Sequence, residues 1–178
     1  MAYKLGKRSE GRLTGLHPDL VAVVRLAISR SSIDFTVLEG MRTLARQKQL
    51  VSEGASKTMN SRHLTGHAVD IAPLLNGQVS WDWPLYHKLA PVIKRAAQDC
   101  GVDLEWGGDW RSFKDGPHWQ LSWKSYPKDV PFPKSPPPVP KTAPQRPDIP
   151  FPVDHVPVRR KPSIWVRLAE LLASFFKN

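Results

Sequence analysis

Two histidines and an aspartate of this 178-residue chain have the side-chain types and spacing of a catalytic metal site. His63 and Asp70 lie in one short polar stretch with Gly66 between them, and His118 follows in a second cluster that begins at Asp115. A catalytic zinc is held by three protein groups, among them histidine nitrogen and carboxylate oxygen, and keeps a fourth position for water. We therefore predict that His63, Asp70 and His118 bind one zinc ion per chain.

A further histidine, His67, lies four residues after His63, which is the spacing of a helical zinc-binding motif. That motif requires a glutamate directly after the first histidine, where this chain has Leu64, and Gly66 disfavours a helix. We therefore exclude His67 from the metal ligands and predict that it contacts either those ligands or the substrate.

The stretch from Ser61 to Asp70 has the pattern Ser-x-His-x-x-Gly-x-Ala-x-Asp, and Asp115-x-x-His118 follows it. This combination resembles a family of zinc peptidases that includes D-alanyl-D-alanine carboxypeptidases and dipeptidases, and most of all the L-alanyl-D-glutamate endopeptidases that act as endolysins. The resemblance covers roughly residues 13–123. It implies cleavage of the L-alanyl-D-glutamate bond in the peptidoglycan stem peptide. A D-alanyl-D-alanine carboxypeptidase or dipeptidase of the same fold is the alternative.

The resemblance also implies roles for residues beside the metal. Asp115 would be the general base, and its presence argues against a member that has lost catalysis. Arg42, in a Gly-x-Arg-Thr stretch, would hold the scissile carbonyl and the oxyanion that forms from it. Ser61 would contact the substrate or a ligand. Glu105 and Asp109 are rival carboxylates for the general base, and the sequence leaves this choice open.

The sequence patterns around these residues predict an α+β fold, a small peptidase domain with a central antiparallel sheet flanked by helices. Alternation of side chains along a strand would bury Val69 and Ile71 and turn Asp70 to the opposite face, and it would place His118 and Gln120 on one face. The expected strands are Ile33–Val37, Ala68–Ala72 with a stop at Pro73, Val102–Trp106 and His118–Leu121. The expected helices begin at Pro18, run from a cap at Thr43 to about Glu53, and run from Trp81 to Cys100 with a kink or division at Pro91.

Tryptophans are concentrated towards the end of this domain, at positions 106, 110, 119 and 123. Most should lie in the core, because a small domain gains much from burying aromatic rings. We expect Trp119, next to a metal ligand, to line the substrate groove. Cys100 is the only cysteine, which excludes an internal disulfide, and its apolar neighbours indicate a buried thiol rather than a nucleophile.

The composition changes after residue 126. Thirteen of the 18 prolines lie between positions 127 and 162, which predicts an extended, semi-rigid linker. Residues 163–178 carry apolar side chains at helical spacing and follow the basic run Arg159-Arg-Lys161. The sequence thus predicts a peptidase domain (1–126), a proline-rich linker (127–162) and an amphipathic C-terminal helix (163–178) that contacts an anionic membrane surface. Docking of this helix on the domain is the alternative.

The net charge of +10 would suit an anionic wall, an anionic membrane or a nucleic acid as partner. Residues 1–126 contribute 17 basic and 12 acidic side chains, and residues 127–178 contribute 9 and 4, so each part carries +5. We do not expect nucleic-acid binding, because no motif for it is found in the sequence. The charged N-terminus lacks the apolar segment of a signal peptide. We therefore expect that the protein stays in the host cytoplasm until a holin-type pore releases it to the cell wall. We also expect it to be a monomer.

Overall fold

The computed structural model describes residues 2–128, which form four α-helices and five strands. The helices are α1 (Lys7–Arg12), α2 (Pro18–Arg30), α3 (Leu44–Ser52) and α4 (Trp83–Asp99). The strands are β1 (Phe35–Glu39), β2 (Ala68–Leu75), β3 (Gln78–Val79), β4 (Leu104–Trp106) and β5 (His118–Leu121). Two short 3₁₀ turns span Arg62–Thr65 and Gly107–Asp109. The predicted linker beyond residue 128 and the predicted C-terminal helix lie outside the described residues.

The strands form one antiparallel sheet in the order β1-β2-β5-β4, and the short β3 pairs with the end of β2. The predicted central antiparallel sheet with flanking helices is therefore confirmed. Its two inner strands place Asp70 and His118 directly opposite each other. Two of the three predicted metal ligands are thus cross-strand neighbours.

One face of the sheet forms the hydrophobic core with α2 and α4, which pack against each other. Val69 and Ile71 of β2 and Trp119 and Leu121 of β5 belong to this core. Burying one large apolar side chain stabilises a fold by about 1.5–3 kcal/mol, so this face dictates the register of both strands. The residues between them on each strand must consequently point to the other face, as the alternation predicts for Asp70.

Two helices begin at the residues that the sequence predicts. Pro18 occupies the first position of α2. Thr43 caps α3, since its hydroxyl accepts a hydrogen bond from the Arg46 amide at 3.2 Å. The helix α4 runs through Pro91 without being divided.

In residues 2–128 no helix has the length and apolarity needed to cross a membrane.

The strand β2 continues through Pro73, where the sequence predicts a stop. Proline lacks an amide proton, but its carbonyl still accepts a hydrogen bond from the Ser80 amide at 2.9 Å. The next residue, Leu74, donates its amide to the Asp34 carbonyl at 2.7 Å. Because the neighbouring backbone supplies both bonds, a single missing donor does not end the strand.

Three smaller differences from the predicted elements concern the starts of two strands and one short helix. β1 begins at Phe35, because the Ser31 side chain bonds the backbone of Ile33 and holds that residue in a turn. β4 begins at Leu104 rather than at Val102. The six-residue helix α1 is too short for apolar periodicity to reveal it. Cys100, at the end of α4, is half-buried rather than fully buried as predicted, and this burial raises the pKa of its thiol.

Candidate active site

Three buried donor atoms form an almost equilateral triangle on the polar face of the sheet. His63 Nε2 lies 3.3 Å from Asp70 Oδ1 and 3.3 Å from His118 Nδ1, and His118 Nδ1 lies 3.2 Å from Asp70 Oδ1. Ligands of a tetrahedral zinc at about 2.0–2.1 Å are about 3.3 Å apart. The predicted ligands are therefore brought together at a spacing that fits such an ion, and their nitrogen and oxygen donors suit it.

Two local structures position the three candidate ligands, a strand pair and a 3₁₀ turn. Asp70 and His118 are opposed on β2 and β5. His63 lies in the 3₁₀ turn that leads into β2, and its amide donates to the hydroxyl of Ser61 at 3.3 Å. Gly66 ends this turn with φ of 69°, a left-handed conformation that glycine adopts without strain. The helical zinc motif excluded from the sequence is also absent here, since His63 lies in this 3₁₀ turn and His67 lies beyond the glycine that ends it.

The backbone carbonyl that follows β1 orients the ring of His63. Its Nδ1 lies 2.8 Å from the carbonyl oxygen of Gly40. A carbonyl only accepts hydrogen bonds, so Nδ1 carries the proton and Nε2 keeps its lone pair. The nitrogen that faces Asp70 and His118 is thus the one able to bind a cation.

His118 is oriented through a chain of two side chains. The carboxylate of Glu105 accepts a hydrogen bond from Gln120 Nε2 at 2.8 Å, which turns Gln120 Oε1 towards His118 Nε2 at 3.1 Å. His118 must then donate from Nε2 and keep the lone pair on Nδ1, inside the donor triangle. Gln120 shares a face with His118, as predicted, whereas Glu105, a rival general base in the sequence, is engaged by Gln120.

Asp70 connects the donor triangle to Arg42. Its Oδ1 faces the two histidines, and its Oδ2 lies 3.5 Å from Arg42 Nη2. Burial opposes the charge on Asp70, but His63 and His118 outweigh it and lower the pKa of this carboxyl. The same guanidinium nitrogen forms an ion pair with Glu39. Arg42 is therefore held at the edge of the site by two carboxylates.

Gln47 is part of this arrangement and was missed by the sequence analysis. It is fully buried, and its Oε1 accepts a hydrogen bond from Arg42 Nη1 at 2.8 Å. Its Nε2 donates to Ser56 Oγ and to the Thr58 carbonyl, at 2.8 and 2.6 Å. Gln47 thereby ties Arg42 to the loop after α3. The available signal was its position three residues before the buried Leu50, on the apolar face of that helix.

Asp115 lies beside the donor triangle and is 7% exposed. Its amide donates to the Gly107 carbonyl at 3.0 Å, and its carbonyl accepts from the His118 amide at 3.4 Å. Burial and the neighbouring Asp70 carboxylate raise the pKa of Asp115 to about 7. Among the described residues its Oδ1 has no hydrogen-bond partner, so a buried acceptor is available to water or substrate. The rival Asp109 is exposed and bonds Lys94 at 2.6 Å.

These groups line a pocket of about 310 Å³. Besides the donor triangle, Arg42, Ser61 and Asp115 face it. Its aromatic lining residues are Trp110, Phe113 and Trp123.

The prediction that Trp119 lines the substrate groove is wrong. Its side chain is 2% exposed and stacks on Trp106 in the core, with ring centroids 5.6 Å apart. Since adjacent residues of a strand point to opposite faces, a neighbour of the candidate ligand His118 on β5 has to point away from the candidate metal site. The alternation already used for Gln120 carried this information.

The prediction that His67 contacts substrate is also contradicted by its position. The ring is 1% exposed, is not part of the pocket lining, and lies 5.5 Å from the ring of His17. Its Nδ1 is 2.9 Å from the hydroxyl of Thr65. Burial, with the nearby charge of Arg62, lowers the pKa of His67 to about 4. It is a neutral, structural histidine behind the turn that carries His63.

The fold and the site define a class: a small α+β protein with a buried His-Asp-His group that could hold one metal ion. The family model of the phage L-alanyl-D-glutamate peptidases matches residues 1–121. The chain belongs to that family, which confirms the resemblance found in the sequence.

Individual relatives agree with this assignment. The chain is 35% identical over 119 residues to the L-alanyl-D-glutamate peptidase of Escherichia phage T5, a match that covers 65% of this chain and 87% of that one. It is 27% identical over 128 residues to the peptidoglycan L-alanyl-D-glutamate endopeptidase CwlK of Bacillus subtilis (strain 168), covering 60% and 73%. The crystal structure of the L-Ala D-Glu endopeptidase ChiX of Serratia marcescens superposes with a TM-score of 0.67 and 50% identity, over 71% of this chain and 95% of that one.

Proposed function

We propose that this protein is a zinc endopeptidase that hydrolyses the L-alanyl-D-glutamate bond of peptidoglycan stem peptides. The observation that carries the proposal is the buried triangle of His63 Nε2, Asp70 Oδ1 and His118 Nδ1. This triangle lies in a chain of the phage L-alanyl-D-glutamate peptidase family, whose relatives are named for this bond. One zinc ion per chain would be held by these three residues.

Zinc, when bound, acts as a Lewis acid and lowers the pKa of its water to about 7. Asp115 supplies the base that takes a proton from the attacking water and then gives it to the leaving amine of D-glutamate. Its burial beside Asp70 favours this role, because a carboxyl with a raised pKa both accepts and returns a proton near neutral pH. The products are a new L-alanine carboxyl and a new D-glutamate amine.

Arg42 stabilises the negative charge that develops on the scissile carbonyl oxygen. Its guanidinium lines the pocket and is held by Gln47, Glu39 and Asp70, so it need not reorganise when that charge forms. Ser61 also lines the pocket. Its hydroxyl accepts from the His63 amide and retains its own proton to donate to a substrate carbonyl.

Mass spectrometry of the products released from purified sacculi tests the proposal. The expected products are peptides with a new N-terminal D-glutamate, together with glycan strands that retain L-alanine. Release of free D-alanine with an intact L-alanyl-D-glutamate bond would instead identify a D-alanyl-D-alanine carboxypeptidase and overturn the proposed specificity. The His118→Ala variant is the matched inactive control.

The route to the cell wall forms a further part of the proposed function. The relatives from phages are peptidases of this family, and the expectation from the sequence is release through a holin-type pore at lysis. The basic run Arg159-Arg-Lys161 and the apolar periodicity of residues 163–178 support contact with an anionic membrane surface during this step.

A further inference from the structure

Three cationic side chains line the pocket: Arg42, Lys57 and Arg62. Two of them are already engaged by the protein. Arg42 is bonded to carboxylates and to a buried glutamine. Arg62 is 2% exposed, donates to the carbonyls of Leu121 and Ser122 at 2.8 and 3.2 Å, and stacks beneath Trp123 at 4.4 Å.

Lys57 differs from both arginines. Its side chain is exposed, and among residues 2–128 no carboxylate pairs with its ammonium group. The ammonium lies 5.7 Å from the centroid of the Phe113 ring. Both residues line the pocket, so this contact joins the loop after α3 to the loop before β5 at the pocket wall. An aromatic face attracts a cation without neutralising it, and the charge stays available to an anion.

The substrate of the proposed function supplies such an anion. D-Glutamate has two carboxyl groups, and the stem peptide continues through only one of them. The other is a free carboxylate on the residue that provides the leaving amine, a few bonds from the scissile bond. Lys57 lines the same pocket as His63, Asp70 and His118, so its cation lies in the pocket that this carboxylate enters together with the scissile bond.

We infer that Lys57 is a specificity-determining residue that binds the free carboxylate of the D-glutamate residue, held at the pocket wall by Phe113. This inference rests on the proposed function. It predicts that the enzyme distinguishes a stem peptide with a free glutamate carboxylate from one in which the same carboxyl is a primary amide. The amide has the same shape but no charge, so the preference measures the ammonium–carboxylate interaction alone.

The experiment compares kcat/KM for two soluble muropeptides, one with the free acid and one with the amide at that carboxyl. The wild-type enzyme should favour the acid by about tenfold, as for a hydrogen bond to a charged group, and the preference should shrink as salt rises. Lys57→Met should abolish the preference by lowering only the rate on the acid. Lys57→Arg should retain it. Lys48→Met removes an exposed charge outside the pocket and should behave as wild type.

Equal acid and amide rates for the wild type, or an unchanged acid preference in Lys57→Met, would overturn the role of Lys57 and leave the proposed function intact. A drop of equal size on both substrates would do the same, because it would show a structural effect. Digestion of sacculi by the wild type, run in parallel, separates these results from failure of the proposed function. If no new N-terminal D-glutamate is released there, both the function and the inference fall.

Discussion

His63 Nδ1 and the carbonyl oxygen of Gly40 are 2.8 Å apart, and this hydrogen bond turns Nε2 of His63 towards Asp70 and His118. The position of that carbonyl depends on a close contact, because a Cβ on Gly40 would lie 1.9 Å from the carbonyl oxygen of Arg12. α1 and the end of β1 can approach this closely only with glycine there. The orientation of a proposed metal ligand is thus linked to the packing of the N-terminal helix.

The first prediction follows from this contact. Gly40→Ala should lower the free energy of unfolding by about 1–3 kcal/mol, the usual cost of overpacking, and should weaken zinc binding because the carbonyl is displaced. Urea unfolding and zinc competition with a chelator measure the two effects. Gly11→Ala is the control, since a Cβ there meets nothing within 4 Å. An unchanged unfolding midpoint and zinc affinity in Gly40→Ala would contradict the link.

The second prediction concerns the metal content. The purified protein should contain about one zinc per chain, and His63→Ala and His118→Ala should each lose it, since two remaining ligands bind zinc weakly. Elemental analysis after gel filtration measures the stoichiometry. His87→Ala, which removes an exposed histidine of α4, should keep its zinc. Full zinc content in either ligand variant would refute the assigned ligand set.

The third prediction separates Asp115 from Glu105. Asp115→Asn preserves the size of the side chain and should retain zinc, but it should lower kcat by about 10²–10⁴-fold, because the water loses its base. A base acts only when deprotonated, so the fall in rate towards acid pH should be less steep for the residual activity than for the wild type, because only the zinc-bound water still titrates. Glu105→Gln should mainly weaken zinc binding, by about 10–100-fold, and recover activity when zinc is in excess. The reverse pattern of kcat losses would exchange the two roles.

The fourth prediction is a dependence of stability on pH that comes from His67. Burial lowers its pKa to about 4 in the fold, whereas the unfolded chain has the ordinary value of about 6.5. As the pH falls, His67 therefore takes up a proton in the unfolded state before it does so in the folded state. The contribution of His67 to the free energy of unfolding is complete above pH 6.5 and is lost as the pH falls towards 4. Between pH 7 and pH 5 the loss should be on the order of 2 kcal/mol.

Urea unfolding of wild type and His67→Gln at the two pH values, with chelator present in both, isolates this term. Titration of the other histidines contributes to both proteins and cancels in the comparison. The variant should lose correspondingly less stability at pH 5. If both proteins lost the same amount, His67 would not be the group responsible.

The fifth prediction concerns the chain beyond the described residues. Tyr126 packs edge-on against His17 and donates to Asp19 Oδ2 at 2.9 Å, so a truncated chain should end after it. A chain ending at residue 128 should still digest sacculi, but should lose binding to anionic vesicles and lysis of intact cells from outside. Vesicle co-sedimentation at low and high salt measures the binding. Vesicle binding by the truncated chain would assign that property to the domain, and failure to fold would assign the tail to the core.

The family, the donor types and the side on which Asp70 lies could all be read from local patterns. His63 and Asp70 are close in the chain, and strand alternation relates the neighbours of Asp70 on β2 to the core by a period of two. The same alternation placed Gln120 beside His118. It also excluded Trp119 from the groove, although that consequence was not drawn from the sequence.

The choice among carboxylates and the chemical state of the two histidines depended on contacts between distant segments. Gly40 and His63 are separated by 23 residues, and Glu105 reaches His118 only through Gln120, on the neighbouring strand. No periodicity encodes such distances, because they result from how the sheet pairs and how closely α1 packs on it. The residue types therefore specified which metal chemistry was available, and the packing of the elements selected the lone pairs and the carboxylate that would carry it out.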